Sequence, residues 1–155
     1  MPASCGAGLN LADAPLGPRD APEEFAHRAA SVREALGGEL IGCTLYEIDE
    51  GGRLWPYHFH WNNDEWLVVV AGTPTLRTPQ GERRLRAGDV VAFPEGEAGA
   101  HTLRGPGRVA IFSTRNQGSV VYPDSDKIGA GPPWQRLYFR RSDAVDYWEG
   151  EQRPE

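Results

Sequence analysis

Cysteine and long apolar runs are scarce in this 155-residue chain, and each scarcity excludes a class of protein. The two cysteines, Cys5 and Cys43, are too few for a disulfide scaffold, so we expect free thiols in a reducing compartment. The longest apolar run, residues 67–72, is far shorter than the roughly 20 residues that cross a membrane. The first residues also lack the basic and apolar regions of a secretion signal. These features predict a cytoplasmic protein with no membrane partner.

Clustered positive charge is scarce as well. The chain has 16 basic and 22 acidic residues, and its net charge is −6. Nucleic-acid binding requires grouped Lys and Arg side chains that neutralise phosphates. The densest group, Arg83, Arg84 and Arg86, is interpreted as the solvated face of a strand. We therefore expect a small-molecule ligand and no nucleic acid.

Turn-forming residues, by contrast, are abundant: the chain has 19 glycines and 13 prolines, about a fifth of its length. From residue 40 onward, turn signals recur about every 8–10 residues, a spacing typical of short antiparallel strands in a sandwich or barrel. The segments between them predict strands at 40–48, 53–61, 65–71, 108–114, 119–122 and 134–140.

The two ends of the chain differ from this pattern. A helix is predicted after Asp20, whose spacing from Glu23 matches a capping box. It ends at Gly37, and its apolar residues lie on one face. These are Phe25, Ala29, Val32 and Leu36. We predict one all-β domain with an N-terminal arm and short helix over 1–38, a barrel core over 39–122 and an irregular C-terminal extension over 123–155.

Two of the four histidines stand two residues apart, as His58 and His60 on a predicted strand, so both side chains leave the same face. Glu65 begins the next strand after a short turn, and a hairpin would bring it beside them. His101 begins a later strand. Imidazole and carboxylate together suit divalent iron, manganese, nickel, copper or zinc. The alternative is a hydrogen-bonded polar patch without metal, although a metal would supply the partners that buried polar groups need.

The spacing of these residues resembles the two motifs of the cupin superfamily. The first, H-x-H-x4-E-x6-G, matches residues 58–72, and the second, G-x5-P-x-G followed by a histidine, matches residues 88–101. Four residues separate Gly96 from His101, where two are usual in the family. The resemblance implies a jelly-roll β-barrel in which one metal ion is held by His58, His60, Glu65 and His101. Segments 121–126 and 146–151 are similar to a group of uncharacterised small bacterial cupins.

The resemblance implies several functions, because cupins include dioxygenases, isomerases, decarboxylases, seed proteins and sugar-binding regulators. We expect a metal-dependent enzyme of dioxygenase or isomerase type that acts on a small oxygenated organic molecule. The alternatives are a non-catalytic, metal-containing module that binds a sugar or organic acid, and a structural protein with a vestigial site. Tyr46, Arg77 and Thr114 are candidates for orienting a ligand.

A homodimer is the expected assembly. If His58 and His60 face inward, the aromatic residues that alternate with them face outward and are available to a second layer or a partner subunit. These are Tyr57, Phe59 and Trp61. Cupins commonly form dimers, and symmetric dimers are the commonest assemblies.

Overall fold

Short antiparallel strands make up most of the computed structural model, which describes residue 6 and residues 8–116, 118–132 and 135–151. The strands are β1 (Gly17–Pro18), β2 (Arg28–Ser31), β3 (Gly42–Ile48), β4 (Phe59–His60), β5 (Glu65–Gly72), β6 (Thr75–Thr78), β7 (Gly81–Arg84), β8 (Val90–Phe93), β9 (Thr102–Arg104), β10 (Gly107–Ser113), β11 (Val120–Tyr122), β12 (Lys127–Ala130) and β13 (Leu137–Arg140). One short α-helix, α1, spans Val32–Leu36. Turns of 3-10 helix lie at Glu23–Phe25, Glu97–Gly99, Pro123–Ser125 and Arg141–Asp143.

The strands form three antiparallel sheets. A six-stranded sheet has the order β1-β2-β3-β10-β5-β8, a four-stranded sheet the order β13-β12-β11-β4, and a three-stranded sheet the order β7-β6-β9. The main core combines side chains of the six-stranded and three-stranded sheets with two leucines from the connecting segments, Leu54 and Leu85. The sheet residues are Ile48, Leu67, Val69, Leu76, Phe93, Leu103, Val109 and Ile111. The all-β prediction is confirmed, and alternation along β5 turns Leu67 and Val69 inward as expected.

The predicted N-terminal helix is correct only over its last turn. Ser31 caps α1, its side chain accepting a hydrogen bond from the backbone N–H of Glu34, and Gly37 ends the helix with a positive φ of 71°. Residues 28–31 are instead strand β2, which pairs with β3 from Arg28 opposite Glu47 to Ser31 opposite Thr44. The helical spacing was misleading because hydrogen bonds to the free edge of β3 outweigh a weak local helix preference.

The predicted strand over 53–61 is shorter than expected. Only Phe59 and His60 pair as a strand, while Arg53 and His58 form isolated bridges to Arg104 and His101. Pro56 interrupts the segment because proline has no backbone N–H to donate to a neighbouring strand.

The N-terminal arm lies against the outer face of the six-stranded sheet. Its apolar residues pack on a second cluster that contains Val32, Cys43, Leu45 and Ala110. The Arg108 guanidinium donates hydrogen bonds to the carbonyl oxygens of Leu11 and Ala14, which ties the arm to β10.

Cys43 is a free, buried thiol as expected, and burial raises its pKa to about 11. Such a thiol is unreactive at neutral pH. Cys5 and Trp134, predicted as a second free thiol and the start of a strand, lie outside the described residues. No helix in the described part of the chain is long and apolar enough to span a membrane.

Candidate metal centre

An antiparallel bridge brings two of the four histidines side by side. The backbone N–H of His58 donates to the carbonyl of His101 at 3.1 Å, and the N–H of His101 donates back at 2.9 Å. Their imidazole ring centroids are 4.8 Å apart. His60 lies two residues further along, with its ring centroid 4.9 Å from that of His58. Residues far apart in sequence are therefore neighbours in the fold.

A polar turn places Glu65 next to these rings. Asn62 adopts a positive φ of 60°, a conformation that asparagine tolerates better than most residues. The Thr114 hydroxyl donates to Asn63 Oδ1 at 3.1 Å and accepts from the Asp64 N–H at 3.2 Å. Asn63 Nδ2 in turn donates to Glu65 Oε1 at 3.3 Å. The turn thus holds the carboxylate at the start of β5.

The ligand atoms of three of these residues converge. One nitrogen from each of His58 and His60 and one oxygen from Glu65 all lie within 4.8 Å of one another. Glu65 Oε2 is 3.6 Å from His60 Nε2 and 3.6 Å from His101 Nε2. This set of imidazole and carboxylate groups fits a divalent transition-metal ion, whose identity the donors do not define. The expected His–His–carboxylate cluster is therefore present, while ligation by all four predicted residues stays a prediction.

Backbone carbonyls orient two of the imidazoles. His58 Nδ1 lies 2.9 Å from the Pro56 carbonyl, and His101 Nδ1 lies 2.8 Å from the Gly99 carbonyl. Because a carbonyl oxygen only accepts, Nδ1 must carry the hydrogen in both rings, which leaves a lone pair on Nε2. His101 Nε2 is buried and has no hydrogen-bond partner among the described residues. The extra residues before His101 form the 3-10 turn Glu97–Gly99 that supplies this carbonyl.

Burial shifts the pKa of every member of the cluster toward its neutral form. It lowers the pKa of His60 to about 4 and that of His101 to about 4, and it lowers the pKa of His58 well below its usual value. It raises the pKa of Glu65 to about 7, against the weaker effect of the Asn63 hydrogen bond. The imidazoles are therefore neutral at pH 7, as metal ligands must be.

Aromatic side chains wall the cluster. A cavity of about 260 Å³ opens beside it, lined by Tyr46, Trp55, Pro56, His58, His60, Glu65, Ile111 and Tyr122. Trp55 meets the rings of His58 and His101 edge-on, at centroid distances of 5.8 Å and 5.9 Å. Phe93 stacks on His101 at 3.7 Å with the planes 7° apart. Packing on several sides restricts how far these imidazoles can rotate.

The three residues predicted to orient a ligand lie in different surroundings. Tyr46 lines the cavity, and its role in orienting a ligand stays a prediction. Arg77 does not: it forms a two-pronged ion pair with Asp124 at 2.6 and 2.9 Å. The reason is alternation along β6, where the buried Leu76 takes the core face and leaves the opposite face to Arg77. Thr114 holds the turn before Glu65 and does not line the cavity.

The outward aromatic residues also differ from one another. Phe59 is buried against Ala100 and Val121, whereas Trp61 is 49% exposed. Sequence reasoning missed Trp55, Tyr122 and Asn63 as parts of the site. The turn-forming sequence before Glu65 was a signal for Asn63, but no local pattern pointed to Tyr122, which reaches the cavity only because β11 pairs with β4.

The antiparallel sheets and the three converging side chains define a mostly β protein with a His–His–carboxylate cluster that could hold a metal ion. Residues 44–114 match the family model described as Cupin domain. This matched segment, 71 of the 155 residues, is the part of the chain that the cupin family model covers.

Solved structures of the same fold come from two bacteria. One is a sugar phosphate isomerase from a cupin superfamily of Silicibacter pomeroyi, with a TM-score of 0.75, 21% identity and coverage of 92% of this chain and 98% of that chain. Another, described as a candidate sugar phosphate isomerase of Acidithiobacillus ferrooxidans, has a TM-score of 0.73, 23% identity and coverage of 79% and 81%. At these identities the likeness concerns the fold.

A curated relative is similar over part of its length. It is the nitrile hydratase subunit beta of a Rhodococcus species, 39% identical over 94 residues that cover 57% of this chain. The match spans 38% of the length of that relative.

Proposed function

We propose that this cupin is a metal-dependent enzyme that acts on a small oxygenated organic molecule by isomerase-type chemistry. The observation that carries the proposal is the cavity of about 260 Å³ that opens directly onto His58, His60 and Glu65. A purely structural metal site is closed by protein ligands, whereas a catalytic site keeps a position for substrate. The cavity provides that position.

His58, His60, Glu65 and His101 would hold the metal. His101 is included among these ligands because its Nε2 is buried and has no hydrogen-bond partner among the described residues. A buried polar atom without a partner destabilises the fold, and a bound cation would supply that partner. When bound, the metal would act as a Lewis acid that polarises hydroxyl or carbonyl oxygens of the substrate. Glu65 gains most from the ion, since its negative charge is otherwise disfavoured by burial.

The remaining cavity residues would bind and orient the substrate. Burial raises the pKa of Tyr46, so its hydroxyl remains a hydrogen-bond donor at neutral pH. Trp55 and Ile111 give the cavity apolar walls that exclude water around the reacting oxygens. A few polar groups on an apolar wall are typical of sites for small organic ligands.

The structural relatives supply the first reaction to test. Both solved structures compared above carry the name of a sugar phosphate isomerase. That shared name supports isomerisation of a sugar phosphate ahead of a dioxygenase reaction.

The metal is tested by elemental analysis of untagged protein. We expect about one equivalent of a divalent transition metal in the wild type and none in the double variant His58→Ala, His60→Ala. His27→Ala is the matched control, because His27 is the histidine outside the cluster. Metal retained by the double variant would contradict the assignment.

The reaction is tested with a panel of sugar phosphates in D2O, followed by proton NMR. Isomerisation through proton transfer replaces carbon-bound hydrogen with deuterium, so signals next to the carbonyl should disappear only with the metal-loaded wild type and His27→Ala. Saturable ligand binding without exchange or product would favour the non-catalytic binding module instead.

A further inference from the structure

A second cavity, here named the arginine cavity, adjoins the metal cluster. Its volume is about 430 Å³, and His60 lines both cavities. Four guanidinium groups line it, together with the single carboxylate of Glu34. The arginines are Arg19, Arg33, Arg115 and Arg136.

Most of this positive charge is uncompensated. Arg33 pairs with Glu34 at 3.3 Å, but within the described residues the other three arginines have no carboxylate within 4.0 Å. Among the described arginines outside the cavity, some also lack a carboxylate partner, whereas Arg28, Arg77, Arg104 and Arg108 have one. What sets the cavity apart is that a surplus of three cationic groups lines one space, in a chain whose net charge is −6. An anion would balance it.

Arg136 carries a more specific sign of an absent partner. Its side chain crosses β12 where Gly129 leaves room, since a Cβ at that position would lie 2.9 Å from Arg136 Cδ. Its Nη2 donates to the Gly118 carbonyl at 3.3 Å, but its Nε is buried without an acceptor among the described residues. A guanidinium has five N–H donors, so several remain for a ligand.

The arginine cavity also contains neutral hydrogen-bond donors, and it lies beside the metal cluster. The hydroxyl groups of Ser31, Thr44 and Ser113 line the same space. His60 and Asn63 form the wall toward the cluster, and Asn63 also donates to Glu65. One small molecule can therefore place an anionic end among the arginines and an oxygenated end at the metal.

We propose that the arginine cavity binds the phosphate group of a phosphate monoester whose hydroxyl or carbonyl end reaches the metal cluster past His60. The claim about the metal end rests on the proposed function, whereas the claim about the phosphate end rests on the arginines. Guanidinium groups pair with phosphate oxygens through two parallel hydrogen bonds. A dianionic phosphate matches a surplus of three positive groups better than a single carboxylate does.

Calorimetric titration of untagged, metal-free protein tests the phosphate end by itself. The probes are inorganic phosphate and glycerol 3-phosphate, with glycerol as the uncharged control and glycerate as the carboxylate control. We expect millimolar or tighter binding of both phosphates, no binding of glycerol and clearly weaker binding of glycerate. Glycerate binding as tight as glycerol 3-phosphate would overturn the phosphate assignment.

Single variants locate the site. Arg136→Gln and Arg115→Gln should each weaken phosphate binding about tenfold, because each removes charge-assisted hydrogen bonds. Arg84→Gln is the matched control, since it removes the same charge from an exposed strand outside the cavity, and its affinity should not change. Arg115 is exposed, so its variant serves if Arg136→Gln fails to fold by circular dichroism. Equal affinity in wild type and both cavity variants would refute the site.

The two proposals fail separately. Phosphate binding by a protein that takes up no metal would overturn the proposed function and leave the phosphate site standing. One equivalent of bound metal without phosphate binding would overturn the phosphate site and leave the metal function standing.

Discussion

Metal affinity should depend on pH through Glu65 and not through the histidines. Burial raises the pKa of Glu65 to about 7 and lowers the pKa values of His60 and His101 to about 4. As the pH rises through 7, Glu65 loses the proton that a metal must otherwise displace, while the imidazoles are already neutral. Metal affinity should therefore increase with pH over this range, and metal binding should release about half a proton at pH 7 and nearly one proton at pH 5.5.

The size of the effect distinguishes this site from an ordinary histidine cluster. Lowering the pH from 7.5 to 5.5 reduces the ionised fraction of a carboxyl of pKa 7 by about 25-fold, so the metal affinity should fall by about the same factor. Three imidazoles with their usual pKa of about 6.5 would instead lose about 1000-fold in affinity over the same interval. The expected loss is small because burial has already removed the competing protons from the rings.

The assay is a titration of metal-free, untagged protein with Mn²⁺ at the two pH values, by calorimetry in buffers of different ionisation enthalpy. Glu65→Gln is the control, because an amide cannot ionise. It should bind metal more weakly, and its affinity should change little between the two pH values. A loss of several hundred-fold in the wild type, or no loss at all, would refute the reasoning.

Three further predictions concern the scaffold. Gly99→Ala would place a Cβ 1.8 Å from the Pro94 carbonyl oxygen, so we expect a lower unfolding temperature and weaker metal binding. Gly17→Ala is the control: its Cβ would meet nothing within 4 Å, so the unfolding temperature should not change. Leu67→Ala should lower the free energy of unfolding, measured by chemical denaturation, by about 2–5 kcal/mol, because Leu67 lies in the core. Leu40 is exposed, so Leu40→Ala should lower it little, and equal losses in the two variants would contradict the assigned core. The proposed homodimer predicts twice the 17.0 kDa chain mass in light scattering, and a mass near 17.0 kDa would contradict it.

Strands and the metal cluster could be predicted because their signals are local. Two-residue alternation puts His58 and His60 on one face, and a short turn returns the chain at Glu65, so nearby residues define most of the cluster. The same locality explains the errors. Residues 28–31 have helical spacing yet form β2, because the decisive interaction is with β3, which lies later in the chain.

Side-chain surroundings could not be predicted in the same way. Arg77 and Tyr46 were equivalent candidates in the sequence, but the register of their strands sends one to Asp124 and the other to the cavity. His101 keeps its lone pair on Nε2 because the Gly99 carbonyl, in the turn before it, accepts a hydrogen bond from Nδ1. Tyr122 lines the cavity because β11 lies beside β4.

The sequence by itself determined the fold class and most of the candidate metal donors, because strand periodicity and turn chemistry operate over a few residues. Tertiary structure alone decided the pKa values of those donors, since they depend on burial by residues from several strands. It also decided the arginine cavity, whose members Arg19, Arg33, Arg115 and Arg136 are spread along the chain and share no motif. Their charges act together only because folding brings these distant segments to one place.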